Sequence, residues 1–195
     1  DVPYQDLFWL GNIRELENLL TEIGLTPNTI FGYQRGIENI NKIPHAEFNL
    51  LVSPWVGLKN MKTMEKTLGI PYLHYPVLPV GATETGKFLR EVGKFANIDE
   101  EKVEAVIKKH EDYFYYLISR YADLFLENRV INKQFSVVAD AQYSLAITKF
   151  LVNDLGLTPA KQFVTDDTPK EYQEAIKAEF NNLNFGIKAD VAFET

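Results

Sequence analysis

The side chains best placed to do chemistry stand where predicted strands end. His74 lies near the end of a strand predicted over residues 71–75, and Asp140 directly follows a strand predicted over 135–139. Because ligands of open parallel α/β sheets gather at the carboxyl ends of the strands, both residues are candidates for binding a ligand or cofactor. A structural histidine and a helix-capping aspartate are the competing interpretations, and Asp166-Asp167 after the next strand pose the same choice.

Other combinations of reactive residues give weaker signals. The three histidines are scattered without metal-site spacing, and His110 falls on the apolar stripe of a helix, where a packed role is expected. Gly81-Ala82-Thr83 opens a helix and could hold an anion on its free N–H groups, although a plain loop-to-helix junction is the commoner case. Neither GxGxxG nor a GxxxxGKS/T sequence occurs, so a dinucleotide or P-loop site has no support.

The composition argues against several classes of protein. The 195 residues include no cysteine, so no disulfide and no thiolate-held zinc or iron–sulfur site can form within the chain. A net charge of -7 disfavours nucleic-acid binding. No apolar run approaches the roughly 20 residues that span a bilayer, so no membrane association is expected. A chain that needs no disulfides suits the cytoplasm, and its start lacks the features of a signal peptide. The missing initiator methionine fits tag removal or processing as well as excision of a domain from a longer protein.

The elements that must position these residues alternate between strands and helices. In the first part of the chain the pattern predicts strands over 7–11, 29–31, 48–52 and 71–75, and helices over 13–23, 36–41, 58–68 and 83–96. Asn12 and Thr83 are the expected N-caps of the first and last of these helices. The nearly continuous apolar run over 48–52 is typical of a strand buried on both faces of a parallel sheet.

A long apolar stripe sets residues 99–128 apart from the rest. It predicts one helix of roughly 40 Å at 1.5 Å per residue, followed by strands over 135–139, 161–164 and 191–193 and helices over 144–155 and 169–180. We therefore expect an α/β fold with two Rossmann-like three-layer lobes, each with a parallel sheet, joined by a long spine helix. The expected division is a lobe over 1–97, the connecting helix over 98–129, and a second, incomplete lobe over 130–195.

Several segments, in order, resemble the subunits of the nitrogenase component 1 family. The helix and strand over 12–32 resemble those that open the family's middle domain. Further resembling motifs are A-x-x-N-L at Ala46–Leu50, x-G-I-P-Y at Leu68–Tyr72, and P-x-G-x-x-x-T-x-x-F-L at Pro79–Leu89. The long helix and the stretch Lys133–Leu157 keep the family's order, so the resemblance covers nearly the whole chain and implies the fold of the family's middle and third domains.

The resemblance implies a chemistry and a set of partners. The family includes the molybdenum–iron protein of nitrogen fixation, the scaffold pair that matures its cofactor, and the dark reductases of chlorophyll synthesis. Its members resemble each other in reducing a bound substrate at a metal cluster with electrons from a partner ATPase. The implied parent is an oxidoreductase subunit that uses iron–sulfur clusters, a second component 1-type subunit and a reductase ATPase, and its cluster-binding cysteines lie in a domain before this segment.

Two departures from the family pattern bear on the cofactor. In the subunit type that holds the catalytic cofactor, a cysteine follows the A-x-x-N-L strand; the corresponding position here is near Ser53, and a hydroxyl is a poor substitute for a thiolate. The stretch Ala139–Tyr143 lacks that subunit's Gly/Arg-rich loop. The chain thus looks like the β-type partner subunit or a maturation scaffold, inactive alone, with no catalytic residue and no metal ligand of its own. The candidate cofactor-binding residues, at the edge of a pocket, are Ser53, His74, Asp140 and Gln142.

Two other functions remain open from the sequence. Two α/β lobes joined by one helix also describe metal-chelate or tetrapyrrole-binding modules of periplasmic-receptor-like architecture, although those carry an export signal. A two-lobed nucleotide-sugar enzyme is the third possibility, and the lack of a Gly-rich phosphate loop counts against it.

Overall fold

The computed structural model describes residues 7–127 and 133–193, with side chains described up to Tyr121 and again from Lys133. In chain order the elements are α1 (Trp9–Glu22), α2 (Ile37–Lys42), β1 (Asn49–Val52), α3 (Leu58–Leu68), β2 (Tyr72–Tyr75), α4 (Gly81–Phe95), α5 (Glu100–Glu127), β3 (Gln134–Phe135), β4 (Val138–Ala139), α6 (Ala141–Asn153), β5 (Thr158–Pro159), β6 (Gln162–Val164), α7 (Lys170–Phe180) and β7 (Val191–Phe193). Each strand pair in these residues is parallel. The chain is an α/β protein with small parallel sheets, as the alternating pattern predicts.

The first compact unit comprises the described part of Asp1–Tyr75 together with Leu89–Val106. Its sheet pairs β1 with β2, and Leu51 lies opposite His74. All four residues of β1 are half-buried, so the burial on both faces expected from its apolar run is only partial. The buried core of this unit includes Ile23, Leu73, Leu89, Val92 and Val103.

Close packing of the end of α4 against the start of α5 explains a glycine inside a helix. A Cβ at Gly93 would lie 2.7 Å from Val103 Cγ2, so a larger residue there would push the two helices apart. Arg90 and Glu104 clamp the same pair with two hydrogen bonds of 2.6 and 2.8 Å. Such a forked pair fixes geometry well, although exposed ion pairs contribute little to stability.

The second compact unit comprises Pro76–Phe88 and the described part of Ile107–Thr195. Its main sheet has the order β4-β6-β7, and β3 pairs with β5 in a separate two-stranded sheet. The apolar residues Leu145, Val152, Val164, Ile176 and Phe180 form its buried core. The 1% exposed Lys149 ties α6 to the end of α7, because its ammonium lies 2.9 Å from Glu179 and 3.2 Å from the carbonyl oxygen of Asn182.

A buried glutamine divides the strand predicted over 135–139 into β3 and β4. The Gln162 side chain is fully buried; its oxygen accepts the backbone N–H of Val137 at 2.8 Å, and its amide nitrogen donates to the carbonyl oxygen of Ala160 at 2.6 Å. The Val137 N–H therefore pairs with a side chain, although its carbonyl oxygen still accepts the backbone N–H of Phe163 at 2.9 Å. The two halves join different sheets. A continuous strand was the wrong prediction.

Two predicted strands near the start of the chain are absent. Residues 7–11 do not form a strand; α1 begins at Trp9, so Asn12 lies inside the helix and Phe8 precedes it. A short apolar run fits a helix as well as a strand, and the stripe of the following helix simply extends backwards. Residues 29–31 are irregular. The Thr29 hydroxyl donates to the Glu17 carboxylate, and the side chains of Asn28 and Asn39 bond each other.

The long helix predicted over 99–128 is present as α5, with 28 residues. His110 on this helix is half-buried. The boundary between the two compact units falls inside α4 and inside α5. The division into lobes at 97 and 130, and the role of α5 as a spine, stay predictions.

Candidate functional site

Ser53 and His74 meet at the carboxyl ends of β1 and β2. Ser53 directly follows β1, and His74 is the next-to-last residue of β2. His74 Nε2 lies 2.8 Å from the carbonyl oxygen of Ser53. A carbonyl oxygen only accepts, so Nε2 carries the proton, and in a neutral ring Nδ1 is left as the acceptor. The contact with the Ser53 carbonyl thus selects one tautomer of the neutral His74 ring at this edge of the sheet.

The Ser53 hydroxyl is buried without a hydrogen-bond partner among the described residues. The residue is 3% exposed, and its own N–H donates to the carbonyl oxygen of Tyr75 at 3.1 Å. The backbone is therefore fixed while the side chain is unsatisfied. Buried polar groups are normally paired, so this hydroxyl marks the pair of Ser53 and His74 as unusual.

Asp140 and Gln142 lie together at the start of α6. Asp140 is the N-cap, and its Oδ1 accepts the N–H of Tyr143 at 2.9 Å. Gln142 is 9% exposed in the first turn. Both residues take part in further interactions within the protein. The capping interpretation of Asp140 is therefore correct, and capping already occupies one of its carboxylate oxygens.

The four candidate residues fall in two different compact units. Ser53 and His74 belong to the first compact unit, and Asp140 and Gln142 belong to the second. Asp166 is used locally, because its carboxylate accepts the hydroxyl of Thr168 at 2.7 Å in the turn after β6. Each pair stands at a strand end, as the sequence predicts, and their use as ligand contacts stays a prediction.

The N-terminus of α4 is occupied by a carboxylate from the same unit. Asp154 Oδ1 accepts the backbone N–H of Thr83 at 2.9 Å and the Thr83 hydroxyl at 3.0 Å. The helix begins at Gly81, so Thr83 is not its N-cap. The anion site considered for residues 81–83 is therefore occupied by a side chain of the protein itself. This side chain is Asp154, which lies 71 residues after Thr83 in the chain.

Asp154 was not among the sequence candidates, although its position held a clue. It is the C-cap of α6, where the helix dipole disfavours negative charge. An acid at that end predicts a partner elsewhere. Burial is the largest influence and raises its pKa; the Thr83 bonds lower it, and the charge of Glu84 raises it again.

A model of the family described as nitrogenase component 1 type oxidoreductase matches residues 4–195. The chain belongs to this family. The resemblance carried by the ordered motifs is thereby confirmed, and the small parallel sheets are consistent with the fold of this family. Membership alone does not identify a substrate.

Several curated relatives carry the name of the B subunit of light-independent protochlorophyllide reductase. The protein from Angiopteris evecta is 30% identical over 164 residues, covering 77% of this chain and 31% of the relative. That from Chlorokybus atmophyticus is 28% identical, covering 79% and 31%, and that from Huperzia lucidula is 26% identical, covering 80% and 33%. The chain spans about a third of the length of these relatives, whose names refer to protochlorophyllide and not to nitrogen fixation.

The residues of this family member do not fit an iron–sulfur cluster. The chain has no cysteine, and within residues 7–127 and 133–193 no three His, Asp or Glu side chains come together as a metal site. Soft metal clusters need thiolate or comparable ligands. Over the same residues, every helix is too short or too polar to cross a membrane.

Proposed function

We propose that this chain is a segment of a component 1-type oxidoreductase subunit and that it supports a reduction driven by a partner ATPase. The observation that carries the proposal is the family match over residues 4–195 in a chain without a thiolate. The chain then encloses substrate or docks a partner, and the cluster is ligated by other parts of the assembly. In this proposal α5 is the spine between lobes over 1–97 and 130–195.

The substrate we propose is a tetrapyrrole of the protochlorophyllide class. The support is similarity to relatives whose shared name is that of a protochlorophyllide reductase. The partners that follow are a second component 1-type subunit and a reductase ATPase, as in the family the sequence resembles. Nitrogen reduction by a molybdenum–iron protein has no comparable support among these relatives.

Within this function, Ser53 and His74 in the first unit, and Asp140 and Gln142 in the second, are the proposed cofactor contacts. His74 is the best placed of the four, because the Ser53 carbonyl fixes its ring and leaves Nδ1 as an acceptor. His74→Gln in the natural subunit should raise KM for the tetrapyrrole severalfold. The matched control is His45→Gln, since His45 is an exposed histidine at the end of a 3-10 helix. Equal kinetics for the two variants would remove His74 from the site.

Anaerobic reconstitution tests the proposed lack of cluster ligation. The chain is incubated with iron and sulfide, desalted, and analysed for bound iron and acid-labile sulfide. The proposal expects neither above the level of a cysteine-free control protein. Stoichiometric iron with sulfide on the chain would overturn the assignment of ligation to other parts of the parent.

Titration of the isolated chain with a tetrapyrrole separates this function from the alternative of a binding module. A subunit segment that needs its partner should show no saturable absorbance change at micromolar tetrapyrrole. Saturable binding of one tetrapyrrole per chain would favour the receptor-like module instead.

A further inference from the structure

The carboxyl group of Asp154 joins the end of α6 to the first turn of α4 in the second unit. One oxygen, Oδ1, accepts both the N–H and the hydroxyl of Thr83. The other, Oδ2, is buried and has no hydrogen-bond partner among the described residues. One half of the group is therefore well satisfied, and the other half is withdrawn from water without compensation.

Close packing keeps water from the unsatisfied oxygen. Gly81 has φ +81°, and a Cβ there would lie 2.5 Å from Asp154 Oδ2 and 2.5 Å from the Phe150 ring. Only a glycine backbone can come this near. An aromatic ring and a bare main chain therefore face Oδ2, and neither stabilises a negative charge as water does.

The charged and titratable groups around Asp154 are mainly acidic. From α4, Glu84 is 2% exposed and pairs with the ammonium of Lys87 at 2.8 Å. From α5, Tyr115 faces the group: burial raises its pKa first, and the charges of Asp154 and Glu111 raise it further. Burial is the largest influence on the Asp154 carboxyl and opposes the charged form, as does the charge of Glu84. The two Thr83 bonds, the nearby backbone N–H of Ala82 and the positive end of α4 favour the carboxylate.

We propose that Asp154 is a proton-operated latch: the protonated carboxyl holds α4 on α6 more firmly than the carboxylate does, so acidification tightens the second unit. The proton removes the cost of a buried charge on Oδ2, while Oδ1 still accepts both bonds from Thr83. This is the reverse of an ordinary N-capping aspartate, which stabilises its helix most when ionised.

The sign of the pH dependence follows from proton linkage. Burial raises the pKa of Asp154 in the folded protein above its ordinary value of 3.8. Between the two values the folded state binds more protons than the unfolded state. The unfolding constant therefore increases as pH rises through this window, by up to about tenfold per pH unit for one proton.

Urea unfolding of the wild-type chain and Asp154→Asn between pH 4 and pH 8 tests the latch. The amide keeps an acceptor for Thr83 and has no charge, so any cost of the substitution itself is independent of pH. The ratio of the wild-type unfolding constant to that of the variant should rise with pH and then level off. Asp99→Asn is the matched control, because Asp99 accepts the N–H of Glu101 at an exposed helix start, and its ratio should not rise.

Carbon-13 NMR of the wild-type carboxyl groups decides the matter even if the variant folds poorly. The Asp154 resonance is identified by the change that it shares with the Thr83 amide, and it should titrate above the ordinary value of 3.8 for this group. Glu84→Gln should lower its midpoint. An Asp154 midpoint at or below 3.8, or a ratio of unfolding constants that falls with pH, would overturn the proposal.

Discussion

A buried hydroxyl without a partner lowers stability, and Ser53 carries one beside the candidate histidine. Thr148 provides the contrast in the second unit: it is equally buried, but its hydroxyl donates to Gln162 at 3.2 Å. The two residues have similar chemistry and differ in whether the hydroxyl is used. Removal of each should therefore have opposite consequences.

Ser53→Ala should leave the free energy of unfolding unchanged or raise it by up to about 1 kcal/mol, because no hydrogen bond is lost. Thr148→Val should lower it by about 1–2 kcal/mol, since it removes a bond and keeps the shape. Urea denaturation followed by circular dichroism measures both. If Ser53→Ala is the more destabilising of the two, the Ser53 hydroxyl has a hydrogen-bond partner and this description of the site is wrong.

At the level of single residues, the sequence locates side chains that act through their nearest elements. Asp140 follows a strand and precedes a helix, and its capping role follows from that position alone. Asp154 bonds Thr83, which lies 71 residues away in the chain. A local sequence pattern does not predict a contact over that separation. The unsatisfied Ser53 hydroxyl is equally invisible, because it depends on how the surrounding backbone packs.

At the scale of elements, the junction between β2 and α4 depends on a glycine. Gly81→Ala should lower the free energy of unfolding by about 3 kcal/mol, because it adds left-handed backbone strain to contacts of 2.5 Å with Asp154 and Phe150. Gly156→Ala is the control: φ there is +68° but nothing lies within 4 Å of the new Cβ, so a loss of only about 1 kcal/mol is expected. Chemical denaturation of both variants gives the comparison, and equal losses would contradict the packing described at Gly81.

The break between β3 and β4 depends on Gln162. Gln162→Leu should cost about 3 kcal/mol, because the Val137 N–H and the Ala160 carbonyl lose buried partners together. Gln173→Leu removes one half-buried bond, to the Thr168 carbonyl at 3.0 Å, and should cost about 1 kcal/mol or less. Amide hydrogen exchange at Val137 should accelerate in the first variant alone. Retained protection at Val137 would show that another group accepts its N–H.

Hydrophobic periodicity predicts most of the helices and strands. It fails where side-chain hydrogen bonds occupy backbone groups that would otherwise pair between strands. The stripes of α3, α5, α6 and α7 and the apolar runs of β1 and β6 are strong local signals, and those elements lie where expected. Residues 7–11 are too short a run to separate strand from helix. Thr29 bonds Glu17, and the break after Phe135 lies where Val137 bonds Gln162. Each of these contacts joins residues that are distant in sequence, so a local pattern does not show it.

At the scale of the whole molecule, the family of the protein is better determined than its reaction. Family membership rests on nearly the full length of the chain, whereas the match covers only 31% of the length of its curated relatives. Ligand contacts by the polar pairs at the strand ends of each unit stay a prediction. Without thiolates the two units cannot hold the cluster that the family's reduction requires. We therefore assign electron transfer to other parts of the assembly.

The most direct test of the proposed function is an anaerobic assay of the natural subunit. The subunit is purified with the component 1-type partner and the reductase ATPase proposed for it, and reduction of protochlorophyllide is followed by absorbance. We predict turnover that requires ATP and both partners. Reduction that persists without the ATPase, or no reduction when all components are present and cluster-loaded, would contradict it.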